Sequence, residues 1–320
     1  MIDLMAQLKD ALGDAYRIEH ELRRGGMSRL YLATERANDR RVVVKLLPPD
    51  LADDVTVTRF RREIEMVSML VHPNILPIIA SGTRGAIMYY IMPYVPGETL
   101  RHRLERENPL QVDDAVRILH ELGGALDLAH AHGVVHRDIK PENVLLPDGH
   151  AVLTDFGVAL ALAHRRPSSR LTGAGTGVGT PGYMSPEQAL GEREVDASSD
   201  VYGLAIVGYE MLAGKAPFTG PTLQAVLAAH VRDIPPPLST IRPEVPKTVS
   251  DAIAKALAKD PAKRYPTAGA FREALGGVSA RGGTGVAGPR RRQAIAAATA
   301  VAAVALAIAA WIFLRGRAAP

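Results

Sequence analysis

The segment VVHRDIKPENVLL, Val134 to Leu146, sets a histidine, an arginine, an aspartate, a lysine, a glutamate and an asparagine between two apolar runs. Apolar runs of this kind enter a core, and a core holds polar groups only where they find partners. Two readings follow. The segment is a solvated turn between two strands, or it is a reaction loop held up by two buried supports. The second reading requires the rest of the chain to bring further charged groups to the same place.

The chain around this segment changes texture midway. Up to about Tyr94 short β-type runs recur (YRIEHEL, SRLYLATE, RVVVKLL, AIMYYIMPY), with one helical stretch, VTVTRFRREIEMVSML, among them. After Gly97 helical spacing dominates. Val112, Val116, Leu119, Leu122, Leu126 and Ala129 fall on one helical stripe that Gly133 stops. LPDGHAVLTDFG reads as a small hairpin turning at Asp148-Gly149. SSDVYGLAIVGYEMLAG is apolar almost all round, which predicts a helix inside the core. A β-rich lobe followed by an α-helical lobe is an α+β arrangement, and the cleft between two such lobes is a natural ligand site.

The ends differ from the middle. MIDLMAQLKDALGD is an amphipathic pattern broken by Asp and Lys, unlike the apolar core of an export signal. Residues 294–314, AIAAATAVAAVALAIAAWIFL, carry no charge and as a helix would span roughly 31 Å at about 1.5 Å per residue, the thickness of a bilayer core. Trp311 lies near one end. Arg290, Arg291 and Arg292 precede the run, while Arg315 and Arg317 follow it, a bias that places the N-terminal side in the cytoplasm. The alternative is a buried Ala-rich helix. The expected organisation is one folded domain over 1–275, a Gly/Arg-rich flexible linker over 276–293, one transmembrane helix over 294–314 and a short tail over 315–320. Localisation would then be single-pass at the cell membrane. The alanines of the span offer small faces through which a homodimer could form. The chain has no cysteine, which excludes disulfides and thiolate metal sites. A net charge of +4 with no long Lys/Arg run in the folded part argues against a nucleic-acid partner.

Several polar residues stand beside apolar runs. Lys45 ends VVVK on a strand, and Glu63 lies on the following helix, where it could pair with Lys45. Asp138 and Asn143 lie in the opening segment, and Asp155 closes the hairpin, followed by Phe156 and Gly157. These types suit phosphate chemistry, which asks a protein for positioning and charge compensation more than for covalent work. A lysine is a point charge for phosphates, a carboxylate and an amide oxygen are hard ligands for magnesium, and a second carboxylate can take a hydroxyl proton. Taken singly, each residue also fits a surface ion pair.

Taken together, VVVK, RFRREIE, HRDIKPEN, DFG and SPE resemble, in that order, the signature set of protein kinases, over about Tyr16 to Leu275. The chain is similar to the membrane-anchored, eukaryotic-like serine/threonine kinases of bacteria. The resemblance implies a bilobal kinase fold with Lys45 and Glu63 as a pair, Asp138 as catalytic base, Lys140 at the γ-phosphate, and Asn143 and Asp155 as metal ligands. It implies ATP and Mg2+ as cofactors, with Mn2+ as a substitute, and serine or threonine hydroxyls of proteins as acceptors. Glu187 would pair with Arg264, Asp200 would brace the catalytic loop, and Thr180 would stay unmodified near Asp138 and Lys140. Adenine would lie among Leu30, Val43 and Leu145, beside the linker Met92, Tyr94 and Val95. The glycine loop departs from G-x-G-x-x-G: Arg23 and Ser28 stand at the outer positions, and Gly25, with Gly26 beside it, keeps the middle one. That position most needs a bare backbone, because amides must approach the phosphates closely. Arg137 beside Asp138 would pair with a phosphate on the activation segment, for which Thr172 and Thr176 are the candidates ahead of Ser168 and Ser169. The competing readings are a pseudokinase scaffold, supported by the altered glycine loop, and a small-molecule kinase of the same bilobal shape, opposed by SPE, Asp200 and Arg264.

Overall fold

Strand alternation builds the first lobe. β1 (Tyr16–Gly25), β2 (Ser28–Glu35), β3 (Arg40–Leu46), β4 (Ala80–Arg84) and β5 (Ile87–Pro93) form one antiparallel sheet in the order β1-β2-β3-β5-β4. The computed structural model describes residues 4–25, 28–47, 54–84, 87–156, 181–192 and 195–276. Successive side chains on a strand point to opposite faces. In β3 this sends Val42, Val44 and Leu46 to the outer face, and Val43 and Lys45 to the face that meets the second lobe.

Helix α1 (Leu4–Leu12) covers the outer face. Leu8 and Leu12 are buried there with Tyr31, Ala33, Val42, Val44, Ile87 and Ile91. The N-terminal amphipathic pattern is therefore part of the lobe's core. β4 went unnoticed in the sequence because ASGTR has no β-branched or aromatic alternation beyond one threonine; it is a short edge strand held by pairing with β5. Helix α2 (Asp54–Ser68) buries Phe60, Ile64 and Val67 on one stripe and leaves Arg61, Arg62 and Glu65 in solvent.

The second lobe is helical: α3 (Leu100–Arg106), α4 (Val112–Ala131), α5 (Pro186–Ala189), α6 (Ala197–Ala213), α7 (Leu223–Arg232), α8 (Leu238–Ile241), α9 (Lys247–Ala256) and α10 (Ala268–Ala274). Its axis is α6, buried continuously from Ser199 to Leu212. The Asp196 side chain caps its start by accepting from the Ser198 amide at 2.8 Å, and Gly214, at φ 78°, ends it. α4 crosses α6 closely because Gly208 presents no side chain: a Cβ there would lie 3.0 Å from Leu119. The short strands β6 (Val144–Leu145) and β7 (Val152–Leu153) pair antiparallel across a turn with Asp148 at φ 50° and Gly149 at φ 83°, the hairpin expected from Asp148-Gly149. Among the described residues no helix is long and apolar enough to cross a membrane. The run at 294–314, its linker from 277 onward and the tail lie outside the described residues.

One buried histidine in this lobe makes stability depend on pH. His230 in α7 is fully enclosed, with Nδ1 3.2 Å from the Tyr202 hydroxyl and its ring 4.8 Å from that of Phe218. Burial, and then the charge of Lys259, push its imidazole down from 6.5 to about 4. The unfolded chain therefore binds this proton first. Stability is retained above about pH 6.5 and falls as pH drops toward 4, by on the order of 3 kcal/mol from this group. Urea unfolding at pH 7 and pH 4.5 should show a smaller acid loss in His230→Gln than in the wild type. Equal losses would assign the effect elsewhere.

Candidate active site

The β3–β5 register sets the upper wall of the cleft. Lys45 lies opposite Leu30 of β2 on one side and Tyr90 of β5 on the other, and Val43 lies opposite Met92. β7 delivers Thr154 and Asp155 beneath them. Lys45 Nζ sits 2.7 Å from Asp155 Oδ1, and the Tyr90 hydroxyl donates to the same oxygen at 2.9 Å. Burial opposes ionisation of Asp155, but the Lys45 charge, its hydrogen bond and that from Tyr90 together hold the carboxyl below its ordinary range. Asp155 has φ 62° and Arg137 φ 66°, left-handed conformations that non-glycine residues rarely adopt and that concentrate at functional sites.

The opening segment forms the lower wall. Asp138 Oδ2 accepts from Lys140 Nζ at 2.6 Å and from Asn143 Nδ2 at 3.0 Å, and Asn143 Nδ2 also reaches the Asp138 carbonyl at 2.8 Å. Asp138 Oδ1 has no partner among the described residues and remains available to a substrate. The Thr154 amide donates to the Asn143 carbonyl at 2.9 Å, which joins the loop to the strand carrying Asp155. The side chains of His136, Asp138, Lys140, Glu142 and Asn143 all find partners within the fold, which favours a loop held by buried supports over a solvated turn.

Buried supports fix the loop from below. Asp200, 1% exposed, accepts the His136 and Arg137 amides at 2.7 Å each and His130 Nε2 at 2.8 Å. His136 is itself buried; Nε2 lies 2.9 Å from the Thr154 carbonyl, and its ring is 4.7 Å from that of Phe156. Glu187 and Arg264 form a bidentate pair at 2.7 and 2.8 Å, with Arg264 3% exposed. Ser185 begins α5 with a capping box, and Gln188 Nε2 donates to the Arg137 carbonyl at 2.8 Å, tying SPE to the loop.

Some of this was invisible in the sequence. Arg101 binds Glu142 and Glu210 at 2.9 Å each, and Tyr183 donates to Glu210 at 2.5 Å and contacts Arg101. Nothing in local spacing signals a network whose members come from four separate segments. Tyr90 was likewise hidden inside an apolar strand.

The structure corrects one expectation. Lys45 does not pair with Glu63; no ion pair joins Glu63 to any described residue, and the ammonium sits on Asp155 instead. Both charges lie in a half-enclosed site, with side-chain exposures of 12% and 20%, where each offers the other its nearest compensation. Val43 and Met92 belong to the continuous core, and Leu30, Tyr94, Val95 and Leu145 pack against that core. Gly25 pairs with Ser28 at the end of the β1–β2 hairpin. Gly26, Gly157 and the segment holding Ser168, Ser169, Thr172, Thr176 and Thr180 lie outside the described residues.

The sequence model of the protein kinase domain matches residues 16–275. The chain belongs to the protein kinase family. As a protein kinase it is 38% identical over 276 residues to the serine/threonine-protein kinase PknA of Mycobacterium tuberculosis, covering 84% of this chain and 62% of that protein. It is 41% identical over 270 residues to PknB of Mycolicibacterium smegmatis, covering 82% of this chain and 43% of that one. With PrkC of Bacillus subtilis it shares 39% over 255 residues, 79% of this chain and 39% of that one. The chain thus spans about two fifths to three fifths of the length of these relatives.

Protein kinases use ATP and a divalent cation, and the oxygen donors here fit the cation. Asp155 Oδ2 carries no described partner. The Asn143 amide nitrogen is committed to Asp138, which leaves its oxygen as the free end. A carboxylate and an amide oxygen on adjoining elements are hard oxygen donors of the kind a small divalent cation selects.

Proposed function

We propose that this chain is an ATP-dependent serine/threonine protein kinase. The observation that carries the reading is Asp138: Lys140 and Asn143 hold one carboxylate oxygen and leave the other free, beside the Lys45–Asp155 pair. In this reading Asp138 Oδ1 accepts the hydroxyl proton of a protein serine or threonine. The hydroxyl oxygen bonds to the γ-phosphorus, the bond from that phosphorus to the β,γ-bridging oxygen breaks, and ADP leaves. Lys140 offsets charge on the transferring group, and Lys45 moves from Asp155 to the α- and β-phosphates. Magnesium, or manganese in its place, would be held by Asp155 and Asn143 and would supply charge compensation on the phosphates. The relatives, named as serine/threonine kinases, support the choice of acceptor.

Self-activation forms part of the proposal. The Arg137 side chain makes no ion pair with a described residue, and its backbone is pinned by Asp200 and Gln188. A phosphate on Thr172 or Thr176 would give that guanidinium a partner on the activation segment. The decisive experiment supplies labelled ATP, magnesium and a generic basic protein. Label should appear on serine and threonine of the acceptor and on Thr172 or Thr176 of the chain itself. A chain that binds ATP and labels nothing would instead be a scaffold, the reading that Arg23 and Ser28 in the glycine loop favour.

We also propose that residues 294–314 form a single membrane span with the kinase on the cytoplasmic side, supported by the uncharged run and its arginine flanks. Full-length protein should then resist carbonate extraction from membranes; recovery in the carbonate supernatant would overturn the span.

A further inference from the structure

Tyr90 is a phenol in a place where the strand pattern asks only for an apolar side chain. It sits in β5 directly opposite Lys45 and is 4% exposed. Its ring forms, with Val67, Leu76, Ile78, Met92 and Phe156, the apolar wall behind Asp155. A buried phenol needs a partner for its hydroxyl. The hydroxyl's partner is Asp155 Oδ1 at 2.9 Å, the same oxygen that Lys45 Nζ approaches at 2.7 Å. Oδ2 accepts from no described residue, although the side chain is 20% exposed.

Rotation about the last bond of an aspartate side chain is soft and nearly two-fold. A donor fixed on one oxygen removes that freedom and decides which oxygen faces the cleft. Lys45 and Tyr90 both do this, but they differ in charge and in what else they are needed for. Lys45 must leave Asp155 to reach the phosphates of a bound nucleotide, and while it stays it neutralises the carboxylate. Tyr90 has no such second task. Its hydroxyl is a neutral donor, so it can hold Oδ1 without cancelling the charge that a cation requires.

We propose that Tyr90 is a positioning residue for the cation-binding carboxylate: its hydroxyl holds Oδ1 of Asp155 when Lys45 departs, and so keeps Oδ2 aimed at the metal. The inference rests on the kinase reading of the site and extends it to a residue outside the signature set. It separates two tasks that a lone lysine could not perform together. It also accounts for a tyrosine at a buried strand position where phenylalanine would pack as well.

The test is Tyr90→Phe, which keeps the ring and removes only the hydroxyl. Binding of a fluorescent ATP analogue is followed in EDTA and then across a magnesium titration, with wild type and variant in parallel. Loss of one hydrogen bond to a charged group should raise the half-saturating magnesium concentration by about tenfold to a hundredfold. Binding in EDTA should change less than twofold, and the catalytic rate should recover at saturating magnesium. A magnesium midpoint equal to or lower than that of the wild type overturns the inference. So does weakened binding in EDTA, which would assign Tyr90 to packing of the nucleotide wall. Absence of any magnesium-dependent binding in the wild type would be a different failure: it would remove the kinase reading, and this inference with it.

Discussion

Asp138→Asn should lower phosphoryl transfer to protein by about a thousandfold, within the range removed with a catalytic acid or base, while ATP affinity stays within a few-fold. The asparagine keeps the shape of the side chain and still offers an oxygen to Lys140 and Asn143, which now share Oδ2 at 2.6 and 3.0 Å. It cannot take the hydroxyl proton. In the proposed mechanism Asp138 serves the acceptor hydroxyl and Lys45 the nucleotide, so the substitution should leave nucleotide binding intact. Single-turnover transfer to a generic protein, with ATP affinity measured separately, distinguishes the two effects. A variant with near wild-type transfer would sink the assignment of the base. The same variant should accumulate no phosphate on Thr172 or Thr176 when expressed with ATP available.

The largest effect on stability is expected at Glu187. Its carboxylate takes two hydrogen bonds from Arg264, and the Ser199 hydroxyl also donates to it. Burial opposes ionisation of Glu187, but the hydrogen bonds from Arg264 and Ser199 and the guanidinium charge hold its carboxyl below the ordinary range. Glu187→Ala leaves that guanidinium enclosed and uncompensated, which costs about 3–5 kcal/mol. Against a typical domain stability of about 5–15 kcal/mol, this would bring unfolding near to working conditions. The guanidinium would keep the carbonyls of Ala258, Ser198 and Lys259, the Ser198 hydroxyl and the face of Tyr202, none of which carries a compensating charge. Equilibrium urea unfolding gives the number. The pair Glu187→Leu with Arg264→Met should recover much of the loss, since no stranded charge remains. A single-variant loss below about 1 kcal/mol would show that solvent reaches the pair and that burial does not set its worth.

Much of the architecture was legible because the forces that set it are local. The period of two in VVVK separates Val42 and Val44 from Val43 and Lys45, and the sheet keeps that division. The 3.6-residue stripe of α4 and the all-round apolar character of α6 predict one half-exposed helix and one buried helix, as found. Asp148-Gly149 favours the left-handed turn that it makes. Two elements were missed or undervalued for equally physical reasons. β4 has almost no intrinsic strand signal and exists because β5 offers it a ladder. α1 is too short to be stable alone and is a helix because the outer face of the sheet needs covering.

The candidate site divides the same way. HRDIKPEN places Asp138, Lys140 and Asn143 close enough in the chain that their mutual bonds follow from the loop itself. The partners of Lys45 could not be read so. Glu63 and Asp155 are both carboxylates at plausible distance along the chain, and only the packed lobes decide between them. Tyr90 and Asp155 lie 65 residues apart, and Arg101 and Glu210 109 apart. By itself the sequence determined which backbone each segment adopts and which residues carry the charge, because sterics and side-chain periodicity act over a few residues. The tertiary structure alone decided which charges meet, because a hydrogen bond or ion pair depends on separations of ångströms that are set only when distant segments pack into one core.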